Sequence, residues 1–158
     1  MKKKIILIGV GTIIALLCLA GCTSSPQKES DSKTNSNPPP HQTDTEIFIP
    51  TSNLSTTAKF YSFESEGVTI RYFAVKDASG NIHIAFDACD VCYEAKKGYR
   101  QNGDVMHCIN CGKEFPITSI GTDNTAGGCW PSYLPMRIDE NTVVIKIADL
   151  VAKQYLFS

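Results

Sequence analysis

The chain has 158 residues, with 15 basic residues against 16 acidic ones, and 42% of it is hydrophobic. A near-neutral balance argues against nucleic acid or an anionic surface as the main partner. No stretch beyond the N-terminus approaches 18 uncharged apolar residues, which excludes a polytopic membrane protein, and the apolar content suffices for one modest core. The first element is the N-terminus itself. Met1-Lys2-Lys3-Lys4 is a positive start, and Ile5 to Leu19 is a nearly unbroken apolar run. That length is short for a spanning helix and suits the core of a signal peptide.

Leu19-Ala20-Gly21-Cys22 closes the run with small residues and a cysteine. This ending resembles the lipobox of bacterial lipoproteins, which implies cleavage before Cys22, a diacylglycerol on its thiol and further acylation of the palmitate type. Two or more acyl chains hold a protein on a membrane durably. Removing residues 1–21 as a signal peptide takes three lysines, leaving 12 basic against 16 acidic residues and a charge of −4. Residues 22–45 are rich in Ser, Thr, Asn, Gln and Pro, with Pro38-Pro39-Pro40 among them. Without apolar periodicity this segment is expected to be a disordered, lipidated tether spanning roughly 25–30 Å. His41 reads as a solvated linker residue. The expected location is the cell membrane, on its extracytoplasmic face.

From residue 46 to 158 the pattern predicts one small, mainly β, antiparallel domain. Val68, Ile70, Tyr72 and Ala74 alternate with Thr69, Arg71, Phe73 and Val75 as the two faces of a strand. Asp77-Ala78-Ser79-Gly80-Asn81 supplies turn chemistry, and Ile82, Ile84 and Phe86 alternate on the return. Lys59 to Phe63 suggests an earlier strand. Met136 and Ile138, then Asp139-Glu140-Asn141, then Val143, Ile145 and Ile147 predict a second hairpin. Ala148 to Lys153 allows one helical turn. Between Asp87 and Pro135 the sequence reads as a loop-rich insert.

That insert carries the chemistry. Cys89-Asp90-Val91-Cys92 and Cys108-Ile109-Asn110-Cys111 are matched C-x-x-C pairs separated by 15 residues, and a further 17 residues separate the second pair from Cys129. In such a knuckle both sulfurs point to one centre while the intervening amides face them. Two knuckles at the tips of adjoining hairpins, in the manner of a zinc ribbon, make a four-thiolate site. Gly112 suits the left-handed position that closes the second turn.

Several chemistries fit. Four thiolates take Zn²⁺, a single iron, a [2Fe–2S] cluster or Cu(I). Export favours disulfides, but five cysteines leave one over. A thiol–disulfide active site would open a helix, and none is predicted after either pair. Cys129, between Gly127-Gly128 and Trp130-Pro131, is a spare ligand, a gate for a second ion or a buried thiol; its glycines suggest close backbone approach. His107 is a surface strand residue or a neighbour of sulfur. Asp87 and Asp90 read as solvated turn residues, and Phe115 with Trp130 as a lid.

Together, Ile84-Ala85-Phe86-Asp87-Ala88-Cys89-Asp90-Val91-Cys92-Tyr93, Lys97-Gly98-Tyr99, Cys108-Ile109-Asn110-Cys111-Gly112 and Gly127-Gly128-Cys129-Trp130-Pro131 resemble the FtrD-like family of membrane-associated iron–sulfur proteins linked with bacterial ferrous-iron uptake. The resemblance runs from about Val68 to Ile147. It implies a metal or iron–sulfur centre on Cys89, Cys92, Cys108 and Cys111 with Cys129 as participant, in a lipid-anchored version of the extracytoplasmic domain. A weaker resemblance to the Rieske domain, with each expected histidine replaced by cysteine, implies an all-thiolate [2Fe–2S] centre of lower potential.

The expectation is therefore a non-enzymatic, lipid-anchored iron or iron–sulfur protein acting in electron transfer or metal transport beside a membrane partner. No Ser/His/Asp set, acidic pair or phosphate loop offers catalysis. The rivals are a structural zinc module, a copper-delivery protein and a thiol–disulfide oxidoreductase.

Overall fold

The computed structural model describes residues 40–158. The signal segment, Cys22 and nearly all of the tether lie outside the described residues. Within them the strands are β1 His41–Gln42, β2 Glu46–Pro50, β3 Lys59–Ser65, β4 Val68–Lys76, β5 Ile82–Cys89, β6 Tyr99–Asn102, β7 Val105–Cys108, β8 Glu114–Pro116, β9 Pro131–Tyr133, β10 Arg137–Asp139 and β11 Thr142–Lys146, followed by a helix, α1 Ile147–Ala152. They form three antiparallel sheets, ordered β1-β2-β11-β10, β3-β4-β5-β9 and β6-β7-β8. The domain is mainly β, as the period-two pattern predicts.

The β4–β5 hairpin is the middle layer. One face of it, Ile70, Tyr72, Ala74, Ile84 and Phe86, packs on Ile47, Ile49, Val143 and Ile145 of the first sheet and on Leu150 of α1. The other face, Phe73, Val75, Ala85 and Cys89, packs on Tyr99, Met106, Cys108 and Phe115 of the small third sheet. Side chains alternate across a strand, so the two faces serve two separate clusters. Both faces carry large apolar groups because neither meets water: Tyr72, Phe73, Ala74 and Val75 are all buried.

Three features depart from the sequence reading. Strand pairing begins inside the stretch taken as tether: His41 is opposite Phe48, and their rings stack at 4.7 Å. The second hairpin stops at Lys146, because Ile147 opens α1 and its N–H donates to the Thr45 carbonyl at 2.9 Å. The loop-rich insert contains a complete meander, β6–β8, whose short strands gain burial by packing into the cluster that holds Phe73, Val75 and Ala85.

Candidate metal centre

The middle sheet and the third sheet each end a strand on a cysteine. Cys89 is the last residue of β5 and Cys108 the last of β7, and both are buried. Residues 85, 87 and 89 fall on the face of β5 that looks toward the third sheet, which aims Cys89 at Cys108. A third segment arrives through β9: Cys89 is in register with Pro131, and the Asp90 N–H donates to the Trp130 carbonyl at 3.0 Å. The register between Ala85 and Cys89 is irregular, a local bend of the kind that redirects side chains at sites.

Five sulfurs result. Those of Cys89, Cys92 and Cys129 lie within 4.8 Å of one another, as do those of Cys92, Cys108 and Cys111. Cys92 belongs to both groups, and its Sγ is 3.6 Å from that of Cys129. All five are free thiols. The structure thus gathers the four knuckle cysteines and places Cys129 beside Cys89 and Cys92.

The backbone prepares these sulfurs for negative charge. Burial disfavours the Cys89 thiolate, yet N–H groups of Val91, Cys92 and Trp130 and the Tyr99 hydroxyl together hold its pKa below the ordinary thiol value. At Cys108 burial prevails over the Cys111 and Asn110 amides and pushes the thiol up to about 11. Exposed Cys111 is lowered to about 7, chiefly by the Lys113 N–H. Cys129 is raised by burial and by its contacts with Cys92, Cys111 and Cys89. Gly112 holds the expected left-handed position (φ 77°), and its N–H donates to the Cys108 carbonyl at 2.9 Å.

The residues around the sulfurs answer the remaining expectations. Phe115 and Trp130 meet edge-to-face at 5.5 Å beside the centre, and the Trp130 indole N–H donates to the Thr122 carbonyl at 3.0 Å. His107 faces Glu114 across β7–β8 at 3.6 Å rather than the sulfurs. A Cβ on Gly127 or Gly128 would meet nothing within 4 Å, and their positive φ values shape the loop. Asp90 is a strap: the Asn124 amide donates to its carboxylate at 3.1 Å and to the Gly128 carbonyl at 2.9 Å, tying the Cys129 loop to the first knuckle.

Asp87 is the clearest correction. Read as a solvated turn residue, it is buried inside β5, 8% exposed. Its carboxylate accepts the Tyr99 backbone N–H at 2.6 Å and Arg71 Nε at 3.2 Å. Burial pushes its pKa up against both partners. The available signal was Arg71, a cation in mid-strand on the face of Phe73, which requires an acidic partner when that face is covered.

Residues 54–157, most of the chain, match the family described as Membrane iron-sulfur containing protein FtrD-like. The chain belongs to that family. No curated protein matches it. Membership makes this an iron-related, membrane-associated family protein, and no helix among the described residues is long and apolar enough to cross a membrane. The two groups of cysteine thiols could hold a metal ion. A metal–sulfur bond near 2.3 Å gives a tetrahedral sulfur–sulfur edge of about 3.8 Å, close to the Cys92–Cys129 separation of 3.6 Å.

Proposed function

We propose that the protein is a lipid-anchored, extracytoplasmic iron or iron–sulfur protein, not an enzyme in its own right, that passes electrons to a membrane metal-transport or redox partner or exchanges ferrous iron with it. One observation carries the reading: five thiols converge, with backbone N–H groups aimed at three of them. Bound iron supplies one-electron chemistry. Cys89, Cys92, Cys108 and Cys111 are the proposed ligands with Cys129 beside them, the amides stabilise their thiolates, and Phe115 with Trp130 keeps water from one side. Exposed Cys111 marks the face open to a partner. The Cys22 anchor and the tether support the membrane setting by giving the domain reach.

Full-length protein purified without oxygen tests this by metal analysis, acid-labile sulfide and an absorption spectrum. The expected result is iron with visible sulfur-to-iron charge-transfer bands, and sulfide separates a cluster from a single ion. A colourless protein holding zinc, or Cu(I) bound in preference to iron, overturns it. The lowered pKa of Cys111 supports a second reading, thiol–disulfide exchange. That reading requires disulfide reduction by the metal-free protein, lost in Cys111→Ser.

A further inference from the structure

Tyr99 opens β6 opposite Cys108 and is 4% exposed. Its ring meets Phe115 edge-to-face at 6.1 Å and packs tilted on Phe73 at the same separation. Its hydroxyl oxygen is wholly buried and has no hydrogen-bond partner. A buried hydroxyl is expected to be hydrogen-bonded, so this one requires an acceptor. Tyr99 pairs in register with Cys108 and shares its buried cluster with Cys89, which makes these sulfurs the acceptors at hand. Burial and the charge of the Cys89 thiolate accordingly push the phenol's own pKa upward.

The backbone leaves Tyr99 little freedom to turn elsewhere. Its N–H is held by Asp87, two residues before Cys89 on the neighbouring sheet. Arg71 holds that carboxylate in turn and donates from its Nη2 to the Lys96 carbonyl at 3.1 Å. The preceding Gly98 has φ 68°, and a Cβ there would lie 2.3 Å from the Asp87 carboxylate. The close approach of β6 to β5, and with it the aim of the phenol, therefore depends on this glycine.

We propose that Tyr99 is a positioning residue of the centre, whose phenol O–H donates a hydrogen bond to the Cys89 thiolate when metal is bound and makes the centre easier to reduce. The inference rests on the iron reading above. Its physical basis is general: a donor to a ligating sulfur withdraws electron density and favours the more negative, reduced state.

Tyr99→Phe in the full-length, anaerobically purified protein tests it, since phenylalanine keeps the ring and removes the donor. Iron content and Tm should match the unaltered protein. The oxidised-to-reduced equilibrium should shift about tenfold toward the oxidised form, which at 59 mV per decade for one electron is about 60 mV to more negative potential. The sulfur-to-iron bands should move to longer wavelength. Equal potential and equal spectrum at equal loading overturn the proposal, as does a folded Phe variant that no longer retains metal. Cobalt(II) substitution separates this from the function reading. If the unaltered chain takes no iron, that reading fails, while the sulfur-to-cobalt band still reports the tyrosine: a shift to longer wavelength in Tyr99→Phe supports the bond, and an unchanged band overturns it.

Discussion

The Cys89–Cys92 knuckle closes a strand covered on both faces, and several other segments reach it. The Cys129 loop is bound to it through Asp90 and Asn124, and β6 through Asp87. The short turn after it, Tyr93–Ala95, leads to Lys96, whose amine donates to the Phe157 carbonyl at 3.1 Å and also to that of Ser158. The Cys108–Cys111 knuckle closes a strand of the smallest sheet and ends on an exposed thiol, whereas Cys92 at the matching place is half-buried; the tips of both, Val91 and Ile109, meet solvent. Identical spacing thus yields two different environments, because exposure is set by what packs on the flanking strands. The first knuckle is a fixed wall and the second is the face toward solvent.

This contrast can be broken outright at the sulfur the two groups share. Cys92→Ser should abolish metal retention, measured after gel filtration, because it removes a member from both sets of three. A smaller effect is expected where the fixed wall meets the third sheet. Gly98→Ala should destabilise the fold by about 2 kcal/mol in denaturant titration, since the new Cβ strains a positive φ and strikes Asp87. Asn124→Ala should cost only about 1 kcal/mol while speeding thiol labelling of Cys129 in metal-free protein, because the loop loses its tie to Asp90. An unchanged labelling rate would show that the loop is held by other contacts.

The smallest effect on stability sharpens the comparison most. With metal removed and thiols reduced, alkylation should mark Cys111 first, at a rate that climbs as pH rises through about 7, because its thiolate is scarce below that value and dominant a unit above it. Cys108, pushed up to about 11 and buried, should stay unmodified over the same range. Mass spectrometry of the alkylated peptides measures both, and equal modification would remove the distinction between wall and open face.

What could be read beforehand was local. The β4–β5 hairpin follows from alternation and a polar turn, and the turn is held as its residues predict: the Asp77 carboxylate accepts the Ser79 and Asn81 N–H groups at 2.9 Å. The convergence of four cysteines follows from two matched turns. What escaped depends on pairings between distant segments. Nothing near His41 announces Phe48 as its stacking partner, nothing near Cys129 announces Cys89 until β9 joins β5, and the brevity of β6, β7 and β8 conceals a sheet that exists by covering Phe73. The burial of Asp87 was within reach, since a mid-strand Arg71 asks for a carboxylate, but only once both faces of the hairpin were known to be covered.

The hydrogen bond between Asp87 and the Tyr99 amide, short and buried, ties β5, which ends on Cys89, to β6, whose first residue pairs with Cys108 at the end of β7. This contact and the β6–β7 pairing help to hold the two knuckles beside each other. On the proposed electron-transfer role, such a frame would limit how far bond lengths change with charge and so would lower the reorganisation energy of exchange.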